Sequence, residues 1–233
     1  MEETILKEGR NFLVSYLKNK NIDYETIHPW RNNWEFIILH SFRVEGYVKK
    51  ILDGEMQSLS SEEILTLRLA ALLHDIGKVD NKEDHAVTGR NIINNWLNNN
   101  QEILHGIKEP NRLLYLIENH SNKEDDESDY CLQVLKDADI LDEIGIMSVF
   151  MASSWIDRSN PYFFNLLSDR INNFEISFCD KKIKLLKTET AKSILKAKKN
   201  FIVSLDKQLK DELYGTEMFG EASIEDYFKN AEQ

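Results

Sequence analysis

The chain has 233 residues, 42% of them hydrophobic and 30% charged, with only nine glycines and three prolines. That length can bury one substantial core, and so little turn chemistry argues against a many-turned all-β fold. A formal net charge of −11 argues against a general binder of nucleic-acid polymers or anionic membranes, which need basic surface, while leaving room for a small anionic substrate met by a local field inside one cleft.

The two cysteines, Cys131 and Cys179, are far apart and form no CxxC pair, so neither a disulfide framework nor a cysteine zinc site is expected. The N-terminus is acidic where a secretory signal would be basic, and no apolar run approaches the ~20 residues of a membrane span. The expectation is a soluble, cytoplasmic protein with no membrane partner.

In chain order, residues 3–19 place Ile5, Phe12, Leu13, Tyr16 and Leu17 at helical spacing and predict an amphipathic helix. Residues 21–33, with His28-Pro29-Trp30, read as a loop, because proline restricts itself and the residue before it; His28 reads as a surface or packing residue. A helix over 34–52 carries the stripe Ile37, Val44, Val48 and Ile51, and His40 lies on that stripe. Taken alone, a histidine on a buried face is more often a hydrogen-bonded core residue than a ligand. Arg43, one turn on, could reach a phosphate or pair with one of the many acids.

Ser60-Ser61-Glu62-Glu63 reads as a capping box. It opens a strongly apolar helix that ends at His74-Asp75. Buried ionisable groups are costly unless paired or bound to a metal, which makes this doublet the centre of the chain. Gly77 could supply a left-handed residue to end the helix, and Lys78 lies one turn past the doublet, placed to neutralise a phosphate. After a polar loop at 79–84, His85 stands at the mouth of a helix bearing Val87, Ile92, Ile93, Trp96 and Leu97, ended by Asn98-Asn99-Asn100. A further helix, interrupted near Pro110, carries Leu113, Leu116, Ile117 and then His120 on the same stripe.

Residues 123–129 read as an acidic solvated loop, and 130–154 as one long apolar helix bearing Asp137, Asp139 and Asp142. Asp139 lies at helical spacing from Leu132 and Leu135, but periodicity does not exclude Asp137 from the inward face. Helices are expected over 162–173 and 188–213. Between them the alternation of Phe174, Ile176 and Phe178 suggests a short strand or extended connector at 174–184. Lysines 181, 182, 184, 187, 192, 196, 198 and 199 form a basic face, a pattern that is usually just solvated. The fold class expected is all-α, a single-domain helical bundle with that one extended segment.

The inward candidates are then His40, His74, Asp75, His85, His120 and Asp139. Neutral imidazoles and carboxylates suit a divalent transition metal such as Mn, Fe, Co, Ni or Zn. Facing helices of a bundle are a usual place for such a site.

The order His40, then His74-Asp75, then Asp139 resembles the HD-domain superfamily of metal-dependent phosphohydrolases. Three strings carry the likeness: His40-Ser41-Phe42-Arg43-Val44, Ala70-Ala71-Leu72-Leu73-His74-Asp75-Ile76-Gly77-Lys78, and Asp137-Ala138-Asp139-Ile140-Leu141-Asp142. The last resembles the family's closing segment, whose second aspartate is the ligand, which points to Asp139 by analogy. Within the superfamily the chain looks most like the small bacterial HD-domain hydrolases over about 33–213, a branch that also has histidines at the positions of His85 and His120. It departs at Ile140, where that branch usually has arginine.

The resemblance implies an all-α bundle over 33–213 with its C-terminal helices, residues 1–32 as a helix and loop packed on it, and 214–233 as a tail, partly helical or disordered. It implies one metal on His40, His74, Asp75 and Asp139, with room for a second at His85 and His120 bridged by Asp75. It further implies hydrolysis of a nucleotide or similar small phosphate ester, with manganese among the metals. Asp75, Lys78, His85 and His120 are the candidate catalytic residues, and Lys78, Arg43, His85 and His120 the candidate substrate contacts. The alternatives are a di-iron HD-domain oxygenase and a nucleotide-binding sensor without activity. Oligomeric state is open.

Overall fold

The computed structural model describes residues 2–20, 31, 33–123, 128–142 and 144–214. His28 and the tail beyond 214 lie outside them. Among the described residues every regular element is helical, as composition predicted, and no helix is long and apolar enough to cross a membrane. The chain divides into two compact units, one of Met1–Glu143 with Leu185–Ile194, the other of Ile144–Lys184 with the chain from Leu195 on.

The first unit contains α1 (Glu2–Leu17), α2 (Trp34–Gly54), α3 (Ser61–Leu73), a 3₁₀ turn (Ile76–Val79), α4 (His85–Asn99), the short α5 (Gln101–Gly106), α6 (Pro110–Asn119) and α7 (Tyr130–Asp142). Helix α3 is its axis. Leu67, Leu69, Ala70, Ala71, Leu72 and Leu73 are all fully buried, because α1, α2, α6 and α7 pack around it. A helix apolar on every side has to be enclosed in this way. Its start is the predicted capping box. Ser60 Oγ accepts from the Glu63 amide (3.2 Å), and Glu63 Oε2 accepts from the Ser60 amide (2.9 Å).

Gly77 does not end α3 in a left-handed conformation; among described residues Gly145 is the only glycine with positive φ. Its role is close approach. A Cβ on Gly77 would stand 2.2 Å from the His85 carbonyl oxygen and 2.7 Å from the Gly89 amide nitrogen. The missing side chain therefore lets the start of α4 lie directly against the turn after His74-Asp75, which brings His85 to the doublet.

The expected single helix over 130–154 is two. Helix α7 stops at Asp142 and α8 (Ile146–Ser153) begins after Gly145, whose φ of 131° and ψ of −150° lie in a region essentially only glycine occupies. The apolar residues on both sides of the break, Ile144 and Ile146, concealed it. Residues 187–188 are tied back to α7 within the first unit. Asp137 accepts from the amides of Lys187 (3.0 Å) and Thr188 (2.7 Å) and from Thr188 Oγ1 (2.8 Å). The long α11 (Glu189–Tyr214) starts from there.

The second unit also departs from expectation at 174–184. Helix α9 (Phe163–Arg170) runs through a π-helical turn (Ile171–Glu175) into α10 (Ile176–Ile183), with no extended segment. The reason is visible in the side chains. Phe174 stacks on Phe178 at 5.5 Å, and Arg170 lies 3.8 Å over the Phe174 ring, so residues four apart meet as they do on a helix surface. Alternating positions and i, i+4 positions coincide for that pair, and the helical contact prevails.

Candidate metal centre

The six candidate residues come together in the first unit. His40 projects from α2, His74 and Asp75 from the end of α3, His85 from the first turn of α4, His120 from the end of α6 and Asp139 from α7. His40, His74, Asp75 and His120 are buried. Their donor atoms form three overlapping groups, each within 4.8 Å: His40, His74 and Asp75; His74, His120 and Asp139; Asp75, His85 and His120.

The chain itself aims the rings. Nδ1 of His74, His85 and His120 each lies against the carbonyl oxygen three residues earlier: Ala71 (2.8 Å), Lys82 (3.0 Å) and Ile117 (2.6 Å). A carbonyl can only accept, so each Nδ1 carries the hydrogen. His40 Nδ1 faces Asp142 Oδ2 at 2.7 Å and donates likewise. All four Nε2 atoms are thereby turned inward. His40 and His74 meet Nε2 to Nε2 at 3.2 Å, and His85 and His120 at 3.3 Å.

Asp75 stands between the pairs. Its Oδ2 lies 3.2 Å from His40 Nε2 and 3.4 Å from His74 Nε2; its Oδ1 lies 3.6 Å from His85 Nε2 and 3.4 Å from His120 Nε2. Both oxygens are shut off from solvent, and Oδ2 also pairs with Lys78. Asp139 Oδ1 closes the first group at 3.2 Å from His40 Nε2 and 3.7 Å from His74 Nε2.

Lone pairs facing lone pairs across about 3 Å need a proton or a cation between them. Donors 2.1 Å from one cation and at right angles to each other lie about 3.0 Å apart. The donor set and its spacing therefore fit a divalent transition metal, with an N₂O₂ group of His40, His74, Asp75 Oδ2 and Asp139 Oδ1, and a second, smaller group of His85, His120 and Asp75 Oδ1.

The electrostatics divide the same way. At His40 and His74 burial opposes the charged imidazole, but Asp139, Asp142 and Asp75 outweigh it and raise the pKa. At His85 and His120 burial prevails, pushing His120 down to about 4 and His85 below its ordinary value. Burial also works against the Asp75 and Asp139 carboxylates; the surrounding imidazoles with Lys78 for Asp75, and Lys123 with the imidazoles for Asp139, hold both well below the usual range.

In the unfolded chain His120 gains its proton near pH 6.5, and in the folded protein only near 4. Acidification across that window therefore favours unfolding, by about 3 kcal/mol from this residue. His40 and His74, with raised values, act in the opposite sense. In chelator-treated protein, His120→Gln is expected to flatten the loss of melting temperature between pH 6.5 and 4; an unchanged slope would contradict the neutral, buried state of this ring.

Two residues acquire places that sequence reading did not assign. Asp142 receives His40 Nδ1 and also both arms of Arg43, Nε at 2.6 Å and Nη2 at 2.9 Å. Of the two readings of Arg43, the ion pair with an acid is the one seen. Partners that orient a ligating histidine typically carry 10–100-fold in metal affinity, so Asp142→Asn should weaken Mn²⁺ binding by about that factor with the fold retained, checked by isothermal titration. Lys123 is paired with Asp139 Oδ2. Lys78 pairs with Asp75 Oδ2, close to where sequence placed it. Asp137 faces residues 187–188 and not the cluster, and Ile140 is buried in the core.

Residues 37–144 match the family model of the HD domain, and that span contains all six clustered side chains. That stretch, a little under half of the chain, is similar to the HD domain. Solved structures share its fold: an HD-superfamily hydrolase from Bacillus thuringiensis (18% identity, TM-score 0.60, covering 91% of this chain and 98% of that one) and a predicted HD-superfamily hydrolase from an uncultured Thermotogales bacterium (20%, 0.57, 89% and 92%). Bacillus subtilis YpgQ, solved in complex with ADP, is similar as well (20%, 0.57, 92% and 97%). No curated protein matches the chain. The chain thus has the fold of HD-superfamily hydrolases, and its histidines and aspartates form groups able to hold a divalent metal.

Proposed function

We propose that the protein is a metal-dependent phosphohydrolase acting on a nucleotide or similar small phosphate ester. The observation that carries this reading is the convergence of four inward Nε2 atoms on the two oxygens of Asp75. Structural similarity to YpgQ, which binds ADP, supports a nucleotide-like substrate.

His40, His74, Asp75 and Asp139 would hold a metal, with Mn, Fe, Co, Ni and Zn all compatible with the donors. When bound, such a cation lowers the pKa of water and polarises a phosphoryl oxygen. His85 and His120, with lowered pKa values, are neutral near pH 7 and suited to accept a proton from the attacking water rather than to donate one. The same pair, with Asp75 Oδ1, supplies donors for a second cation. Lys78 lies at the exposed side of the doublet, where it would meet substrate phosphate; Arg43, engaged by Asp142, holds that carboxylate in place.

The test is elemental analysis of protein purified without chelators, followed by a nucleotide panel under argon with Mn, Co, Ni, Fe and Mg. Expected are bound transition metal and oxygen-independent phosphate release. Two irons with turnover strictly requiring oxygen would instead establish an oxygenase. Tight nucleotide binding with no product over hours would establish a sensor.

A further inference from the structure

The cluster is partly open to solvent. Asp139 and His85 keep 14% and 16% of their side-chain surface exposed, whereas Asp75 keeps 2%. Three cationic side chains pair with acids of the cluster or next to it: Arg43 with Asp142, Lys78 with Asp75 and Lys123 with Asp139. In a protein of net charge −11, an anionic substrate depends on such local positive charge.

The three are not equivalent. Arg43 has two arms committed to Asp142. Lys78 pairs with Asp75 Oδ2, the same oxygen that faces His40 and His74, so it and a cation in the first group draw on one atom. Lys123 pairs with Asp139 Oδ2, whereas Oδ1 is the oxygen turned to His40 and His74. A cation held by Oδ1 and the ammonium on Oδ2 use different atoms of one carboxylate. Lys123 therefore keeps its position when the group is filled. An ammonium has three N–H donors, more than one carboxylate oxygen takes up, and a lysine of this kind binds phosphate as a point charge.

Resting on the phosphohydrolase reading, the geometry points to Lys123 as a second substrate-binding lysine, contacting a phosphate oxygen of the substrate beside Asp139. It and Lys78 would flank the phosphate from two different ligands of the same metal.

The experiment uses Lys123→Ala and Lys123→Arg in the full chain, with Mn²⁺ affinity measured by electron paramagnetic resonance and inorganic phosphate affinity by calorimetry on Mn²⁺-loaded protein. Expected for Lys123→Ala is about tenfold weaker phosphate binding, the loss of one charge-assisted hydrogen bond. Mn²⁺ affinity should stay within about threefold, since the metal's own donors are untouched. Lys123→Arg should restore phosphate binding. Unchanged phosphate affinity in Lys123→Ala overturns the assignment while leaving the phosphohydrolase reading intact. A parallel fall in Mn²⁺ affinity also overturns it, making Lys123 a residue that only positions Asp139. Wild-type protein that loads Mn²⁺ but binds no phosphate and releases none overturns both readings.

Discussion

Asp75→Ala protein is expected to leave purification without transition metal, and its kcat/KM on the best substrate of the panel should fall by about 10³-fold or more, the several kcal/mol a catalytic cation supplies. No other side chain touches as much of the cluster: its two oxygens lie within 3.2 to 3.6 Å of all four inward Nε2 atoms. Stability should respond as well. Without metal, the imidazoles and Lys78 still hold Asp75 ionised against the cost of its burial, so the chelated variant should melt below the chelated wild type at neutral pH. Saturating Mn²⁺ should raise only the wild type, by about 2.7 kcal/mol at a hundredfold excess over Kd. A variant that keeps both metal and turnover would sink the role given to Asp75.

The neighbouring acid two positions before Asp139 should behave in reverse. Asp137→Ala is expected to destabilise the protein by about 2–4 kcal/mol, since it strands one buried amide, one part-buried amide and a threonine hydroxyl. For a chain of this size that is a fall in melting temperature of roughly 5–15 °C. Asp137 accepts from Lys187, Thr188 and Thr188 Oγ1 and fastens the start of α11 to α7. Burial raises its pKa in spite of those bonds, so part of its hydrogen-bonding strength offsets desolvation. Mn²⁺ affinity in the variant should match the wild type. Loss of metal without loss of stability would mean that the two aspartates have been assigned the wrong way round.

This pair illustrates how far the sequence could be read. Helical stripes placed His40 and His120 on buried faces, and the capping box located the start of α3, because each is a property of a short stretch. Asp137 and Asp139 could not be separated by periodicity. Helix α7 is covered on several sides, with Lys136, Asp137, Ala138 and Ile140 all buried, so an acid on almost any face turns inward. What separates them is the chain around residue 187, fifty positions away, which no local pattern encodes. The same holds for Asp142, whose partners His40 and Arg43 lie about a hundred residues earlier. The break at Gly145 depends on one backbone angle inside an apolar run. At 174–184 the pattern is ambiguous, because Phe174 and Phe178 satisfy both a strand's alternation and a helix's turn.

The carbonyls that hold His74, His85 and His120 each belong to the residue three places before. The pitch of these rings is thus written into single turns of backbone and does not wait for distant strands of the chain to agree. Insertions or deletions in the connecting loops can accumulate without rotating an imidazole, provided each turn is kept whole. A designer transplanting the centre into another helical scaffold would accordingly carry over four-residue pieces, His with its three predecessors, rather than isolated side chains.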